Sequence, residues 1–457
     1  MIASRNRSLH AHLPSRTALA GLIAALAGMS AAADTWTAQH NGGNSKAAFS
    51  ARSLERDAPP TPIPSQTALA TATVTNCGDD GPGSLRAAAA SHAAIIDMTG
   101  LACSTITLTT GEVVVAGDIT FNGPTSHALA IDANHNSRIL IHYGPGGTLT
   151  LDHVQLTNGS HSTVQDNPSA GGCVLSVGGA VVLQNASVAN CLANAADFYA
   201  YGGAIFAYEL TLNDSVISGS IGNGTKVRGG GAWVAGKLVM EHSTIRDNVA
   251  IASSGSAVAG GAYVKGEAQL YASTISGNQA DYEGGLAVLQ NASINNSTIS
   301  GNSAPVVGGL SVNGLLVLEN STVAFNSPTS TFAGVYVEGG VVAHSSIVSN
   351  NCYTGSRYCD IECKNCSIVG SKNLIMGANV ALPLDTIISD PLLAPLADNG
   401  GPTQTHALPA LSPALEKGSN IHNYQLDQRG RARSAGTAPD IGAFEAGPDS
   451  IFANGFD

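Results

Sequence analysis

Four short stretches late in the chain recur at a fixed interval: STISGN at 273–278, STISGN at 297–302, STVAFN at 321–326 and SSIVSN at 345–350. Their closing asparagines, Asn278, Asn302, Asn326 and Asn350, stand 24 residues apart. A Gly-Gly-Leu marker beginning at Gly284 and at Gly308 keeps the same step. A strict period of this length describes a stacked repeat, in which each unit buries its inner face only against its neighbours.

Within one period the apolar residues alternate. Ala232-Trp233-Val234, Ala262-Tyr263-Val264 and Leu286-Ala287-Val288 each follow a Gly-Gly pair, and their period of two is that of a strand with one buried face. A second strand ends near Met240, Leu270 or Leu318, the Ser-Thr-Ile core is a third, and Gly, Asn and Ser punctuate between them. Three short strands per rung with no helix between them predict an all-β fold, a right-handed single-stranded parallel β-helix. About ten or eleven rungs at roughly 4.8 Å each make a rod. Asn248, Asn278, Asn302, Asn326 and Asn350 are expected to form a structural ladder: a corner asparagine accepts a left-handed backbone, and its amide bonds to those above and below.

Residues 1–33 read as a secretory signal, with Arg5, Arg7 and Arg16, an apolar run over 18–27 and Ala31-Ala32-Ala33 before Asp34. Removing those three arginines takes the formal charge from −12 to −15, which argues against nucleic acid or an anionic membrane as partner. No later apolar stretch is long enough to span a bilayer. Residues 34–72 are polar and proline-rich and are expected to be a disordered linker; the β-helix with its N-terminal cap takes 73–376. A Pro-rich, aperiodic C-terminal cap takes 377–446, and a tail 447–457. Pro82-Gly83-Ser84 before Leu85-Arg86 and an alanine run predicts a short helix capped by Ser84.

Eight cysteines in an exported chain predict disulfides. Cys77 with Cys103 and Cys173 with Cys191 are the expected pairs. The cluster Cys352, Cys359, Cys363 and Cys366 reads as two further disulfides, with a zinc site as the alternative because Cys363 and Cys366 have CxxC spacing. No other metal and no cofactor is expected.

CGDDGPGSL at 77–85 followed by Arg86-Ala87-Ala88 resembles the opening of many exported bacterial right-handed β-helix proteins. DPLLAPLADNGGPTQTHALPALSPAL at 390–415, DQRGRAR at 427–433 and PDIGAFE at 439–445 resemble the choice-of-anchor Q domain. Gly-Gly-Ala-Ile at 202–205 and Phe325-Asn326 are similar to repeats of the polymorphic outer-membrane proteins. Together these cover most of residues 74–445. The resemblance implies a bacterial protein that is released or held at the outer cell surface. It also implies a cysteine pair bracketing the Asp-Gln-Arg-Gly segment, which this chain lacks; Pro439 is one of the residues at those places. The C-terminal cap then holds by packing and polar contacts, for instance Arg429 with Asp427, Asp440 or Glu445; a calcium site built from those acids is the alternative.

Glycosidic hydrolysis needs two carboxyls facing each other at about 5–9.5 Å, yet acids occur singly along the rungs, and only Asp214 and Glu241 approach one another. A binding surface has more support. Between the corner and the next Gly-Gly, three rungs carry long loops, at 192–201, 221–229 and 249–259, the first two holding Tyr199, Tyr201, Lys226 and Arg228. Beside them an outward column is expected to run Ile205, Trp233, Tyr263, Ala287, Ser311, Tyr336, with Trp233 and Tyr263 presenting flat rings above the shallow strip of Ala287 and Ser311. The opposing expectation is that the long loops fold over these rings. These observations point to a secreted or surface protein binding an extracellular glycan or a surface protein. The alternatives are a polysaccharide lyase or hydrolase acting near Asp214, Glu241, Lys226 and Arg228, and a structural spacer.

Overall fold

The computed structural model describes residues 70–163, 167–328, 333–351 and 360–447. The signal segment, the linker up to residue 69, Cys352, Cys359 and the tail beyond residue 447 lie outside the described residues.

The chain coils into a parallel β-helix of about 11 turns. Its walls are three long parallel sheets of ten, twelve and eleven strands, visited in that order in each rung. One rung reads Ala262–Val264, Ala268–Tyr271, Thr274–Ser276; the next reads Leu286–Val288, Ala292–Asn295, Thr298–Ser300. Like-placed residues pair one above another, Thr274 on Thr298 and Ile275 on Ile299. Ile217, Ile245, Ile275, Ile299, Val323 and Val348 make one of the inward files of a single continuous core. The stack begins slightly earlier than the sequence suggests: Thr71–Thr73, which overlaps the last two residues of the expected linker, is a strand paired with Ile95–Asp97. The one described helix, Leu85–Ala90, starts at Ser84, whose hydroxyl accepts the Ala87 N–H at 3.2 Å.

Two corner ladders hold the rungs in register. In the first, each asparagine Oδ1 accepts both the backbone N–H and the amide N–H of the asparagine one rung back. The chain runs from Asn248 to Asn278 (3.0 and 3.0 Å), Asn302 (3.0 and 2.9 Å), Asn326 (3.1 and 2.9 Å) and Asn351 (3.0 and 3.0 Å). It ends on Asp360, whose carboxyl burial pushes up to about 6. The last asparagine is Asn351 and not Asn350, because that rung is one residue longer. Nor is the ladder residue left-handed. That conformation belongs to the residue before it, Asp247, Gly277, Gly301, Phe325 and Asn350, with φ between 57° and 67°. The second ladder is of serines: Ser215, Ser243, Ser273, Ser297, Ser321 and Ser346 each accept the N–H of the preceding rung at 3.0 to 3.2 Å. Each also donates to the carbonyl two residues back in its own rung.

Two regions depart from the plain repeat. The long loops are themselves stacked strands, in two four-stranded parallel sheets that also include the rung at Ser160–Thr163 and Ser169–Ala170. This outgrowth has its own small core of Ala195, Ala200, Val227, Ala250, Ala257 and Ala280. The second region is the C-terminal segment, which turns back along the side of the rod as a strap over the eleven-stranded sheet. Thr274 donates to the Gln404 carbonyl (2.8 Å), Thr298 to the Gln428 amide oxygen (2.6 Å), and Thr322 accepts from Ala443 N–H (3.1 Å). The outward threonines of this sheet are therefore buried. Ile347 and Leu374 pack with Leu408, Ala414, Ile441 and Phe444 beneath it.

Inside the strap, Arg429 pairs with Asp427 at 2.7 Å and lies on the Phe444 ring at 3.6 Å. Asp427 also accepts the backbone N–H groups of Arg429, Arg431 and Glu445. Asp440 accepts from Glu416 and Ala446, and Glu445 from Ala435 and Asp440. These carboxylates are held by protein donors, and among the described residues no group of His, Cys, Asp and Glu is placed to bind a metal. Disulfides join Cys77 to Cys103, Cys173 to Cys191 and Cys363 to Cys366. No described helix is long and apolar enough to cross a membrane.

Candidate functional site

The structure gathers the six residues expected to bind ligand, but into a packed cluster. Strand register places Phe206, not Ile205, above Trp233, and Tyr263 below it; Ile205 points into the core. Phe206 and Trp233 stack in parallel with centroids 4.4 Å apart, and Tyr201 meets Trp233 edge-on at 6.0 Å. Lys226 sits over Tyr199 at 5.2 Å and Arg228 over Tyr263 at 5.8 Å. Trp233 and Tyr263 each keep 2% of their surface, and Ala287 and Ser311 each keep 3%. The open ring face expected from the sequence is closed, because the outgrowth lays a second layer of side chains on it and aromatic faces bury more favourably against one another than against water.

A carboxyl that the sequence did not single out lies in this cluster. Glu283 is buried, one of its oxygens has no hydrogen-bond partner, and loss of solvation pushes it up to about 8 against the opposing pull of Arg228. The residue one rung on is Val307, so no periodic signal marks it.

The residues of the enzymatic alternative fall in two places: Asp214 and Glu241 adjoin on neighbouring rungs, the Asp214 N–H donating to the Glu241 carbonyl at 3.0 Å, while Lys226 and Arg228 are elsewhere. Asp214 faces His242 at 3.7 Å on the corner after the twelve-stranded sheet, and Glu241 is exposed on that sheet. Lys226 and Arg228 belong to the outgrowth.

A cleft remains on the far edge of the strap, of about 980 Å³. Its floor is built by four successive rungs: Arg246 and Asp247, then Ser276 and Gly277, then Ser300 and Gly301, then Phe325. Its wall comes from the strap, through Leu393, Pro395, Leu396, Gln404 and His406. The wall is positioned by a short antiparallel ribbon, Leu396–Ala397 with Thr405–His406. His406 ties the two sides together. Its Nδ1 donates to the Ala394 carbonyl at 2.7 Å, since a carbonyl can only accept, and its Nε2 therefore accepts the Ser300 hydroxyl at 2.8 Å. Burial lowers the affinity of this imidazole for a second proton and keeps it neutral.

The chemistry of the cleft is amphipathic. Phe325 is 36% exposed, with its ring 5.1 Å from that of His406. Arg246 and Asp247 pair at 2.6 Å and are each about half exposed, leaving guanidinium and carboxylate positions open to a ligand. Of the two floor glycines, Gly277 is covered by the Asp247 carboxylate, while Gly301 leaves its part of the floor bare. A Cβ on Gly301 would meet nothing closer than the Gly277 nitrogen at 3.9 Å. Sequence reasoning missed this site because half of it comes from a segment about 70 to 160 residues further along the chain, folded against the corners of four rungs. The exposed Phe325, where the two preceding rungs have glycine, was the one local signal.

Comparison with known proteins adds no relative: no family model matches the chain, and no curated protein or solved structure shows significant similarity to it.

Proposed function

We propose that this is an exported protein of the bacterial cell surface or its surroundings, a non-catalytic binding or adhesion protein that holds a glycan or protein ligand in the cleft between strap and β-helix. The parallel β-helix is consistent with surface and adhesin-like proteins. A signal-like N-terminus, disulfides and a surface of Ser, Thr, Asn and Gly support export. The likeness of the strap sequence to a choice-of-anchor domain supports a surface location.

The observation that carries the reading is the cleft itself, with a partly exposed aromatic ring, an exposed Arg–Asp pair and open floor at Gly301. Concave, largely apolar sites with a few fixed polar groups are where ligands bind. Asp214 and Glu241 adjoin, but Lys226 and Arg228 stand in the outgrowth and the four do not form one site, which favours binding over glycosidic chemistry. The test is a binding screen of residues 70–447 against surface polysaccharides and purified surface proteins, run beside Phe325→Ala. Binding that falls at least tenfold in the variant supports the reading; a ligand held equally well by both, or none at all, refutes it.

A further inference from the structure

The cleft also restricts its ligand. We infer that it takes an uncharged glycan chain laid along the stacking axis; this rests on the cleft being the binding site. Three features carry the inference.

The first is charge. Among the described residues, Arg246 and Asp247 are the only formally charged ones lining the cleft, and they pair with each other. The other polar groups are hydroxyls, the Gln404 amide and a neutral imidazole committed on both nitrogens. A polyanion would find one guanidinium already opposed by a carboxylate, and a polycation the reverse. Neither gains the field that unbalanced clefts supply. Sugar hydroxyls, in contrast, both donate and accept, which suits an exposed Arg–Asp pair, and their C–H faces suit Phe325 with the Leu393, Pro395 and Leu396 wall.

The second is shape. The floor repeats with the rungs, so Arg246 and Phe325 stand three rungs, roughly 14 Å, apart along the axis. A groove whose floor repeats along the axis suits a linear chain of repeating units.

The third separates glycan from peptide. An extended peptide binds a strand edge through main-chain hydrogen bonds. The ribbon strand bordering this cleft is two residues long, and Pro395, just before it, has no N–H to offer.

The test uses calorimetric titration with linear neutral hexose oligosaccharides of increasing length, length-matched oligouronates and sulfated oligosaccharides, and an extended peptide panel. Gly301→Asn is the blocking variant. Asparagine tolerates the φ of +67° at this position, and the new side chain projects into open space. It should therefore fill the floor at a small cost in the unfolding midpoint, with the protein still folded under the binding conditions. The expected result is affinity for neutral chains that rises with length until the groove is spanned, changes less than twofold between 50 and 500 mM salt (roughly 14 to 4 Å of Debye length), and falls at least tenfold in Gly301→Asn. Acidic chains binding as tightly, with steep salt dependence, would overturn the neutral-glycan inference and leave the binding reading standing. So would peptides that bind while glycans do not, if Gly301→Asn blocks them. If Gly301→Asn leaves every bound ligand unaffected, or nothing binds, the cleft is not the site and both readings fail.

Discussion

Truncating one rung of the asparagine ladder measures what the ladder contributes. In Asn302→Ala the lost amide had accepted the Asn278 N–H and Nδ2–H at 3.0 and 2.9 Å. It had donated to the Ile275 carbonyl at 3.0 Å and to Asn326 Oδ1 at 2.9 Å. Asn326 Oδ1 keeps the backbone N–H of residue 302, and Asn278 Nδ2 keeps the Ile245 carbonyl. The Asn278 N–H loses its partner in a fully buried corner, whereas the Ile275 carbonyl, in the strand Thr274–Ser276 paired with Thr298–Ser300, keeps its place in the sheet. At about 1–3 kcal/mol for the stranded donor and about 1 kcal/mol for the lost side-chain bond to Ile275, the loss sums to about 3 kcal/mol. The assay is urea unfolding followed by circular dichroism, with amide exchange at Asn278 as the local readout. Two companions test the register. Asn351→Ala should cost about as much as Asn302→Ala, because Asn351 occupies the same place. Asn350→Gly, at φ +57°, should stay within about 0.5 kcal/mol of the parent, since glycine accepts that backbone without strain. A loss below about 1 kcal/mol for Asn302→Ala, or a larger loss at 350 than at 351, would refute this account of the corner.

Trp233→Ala should destabilise by about 3–5 kcal/mol, as for other buried aromatics, and leave ligand binding unchanged, because the ring is packed on Phe206 and not offered to solvent. Glu283 keeps its proton up to about pH 8 when folded but releases it near 4.5 when unfolded. Between those values the native state binds more protons, so stability falls as pH rises through the window. Glu283→Gln should remove that slope and gain at least about 1 kcal/mol over the parent at pH 9, measured by urea unfolding at pH 5, 7 and 9. His406 has the opposite sense. Its folded form resists protonation while the unfolded imidazole charges near 6.5, so stability is lost as pH falls below that value. The acid-side loss should be shallower in His406→Gln, and in the parent, hydrogen exchange over residues 393–406 should rise first.

The chain's period is visible because it records a local requirement repeated in every rung: an apolar residue facing in, a residue that accepts a left-handed corner, and a polar side chain to close it. Reading the Ser-Thr-Ile residues Ile275 and Ile299 as one file needed only their spacing of 24, and the structure stacks them so. The places where spacing misled are short of local information. One extra residue between Asn326 and the next rung moves the ladder to Asn351, and a shift by one exchanges Phe206 for Ile205 as the outward neighbour of Trp233. In a strand, a one-residue slip reverses the face of every side chain.

Sequence alone determined the stacked β architecture and its inward files, because each rung's requirements are met by residues within one period of each other. Only the tertiary structure decided what covers the outside. Thr274, Thr298 and Thr322 could equally well have faced water. They are buried because a segment more than 100 residues downstream brings Gln404, Gln428 and Ala443 to meet their hydroxyls. Trp233 and Tyr263 likewise lie under strands from the outgrowth. Hydroxyl-rich, outward-facing positions satisfy water and a docking partner with the same chemistry, so their fate depends on contacts that no interval in the chain encodes.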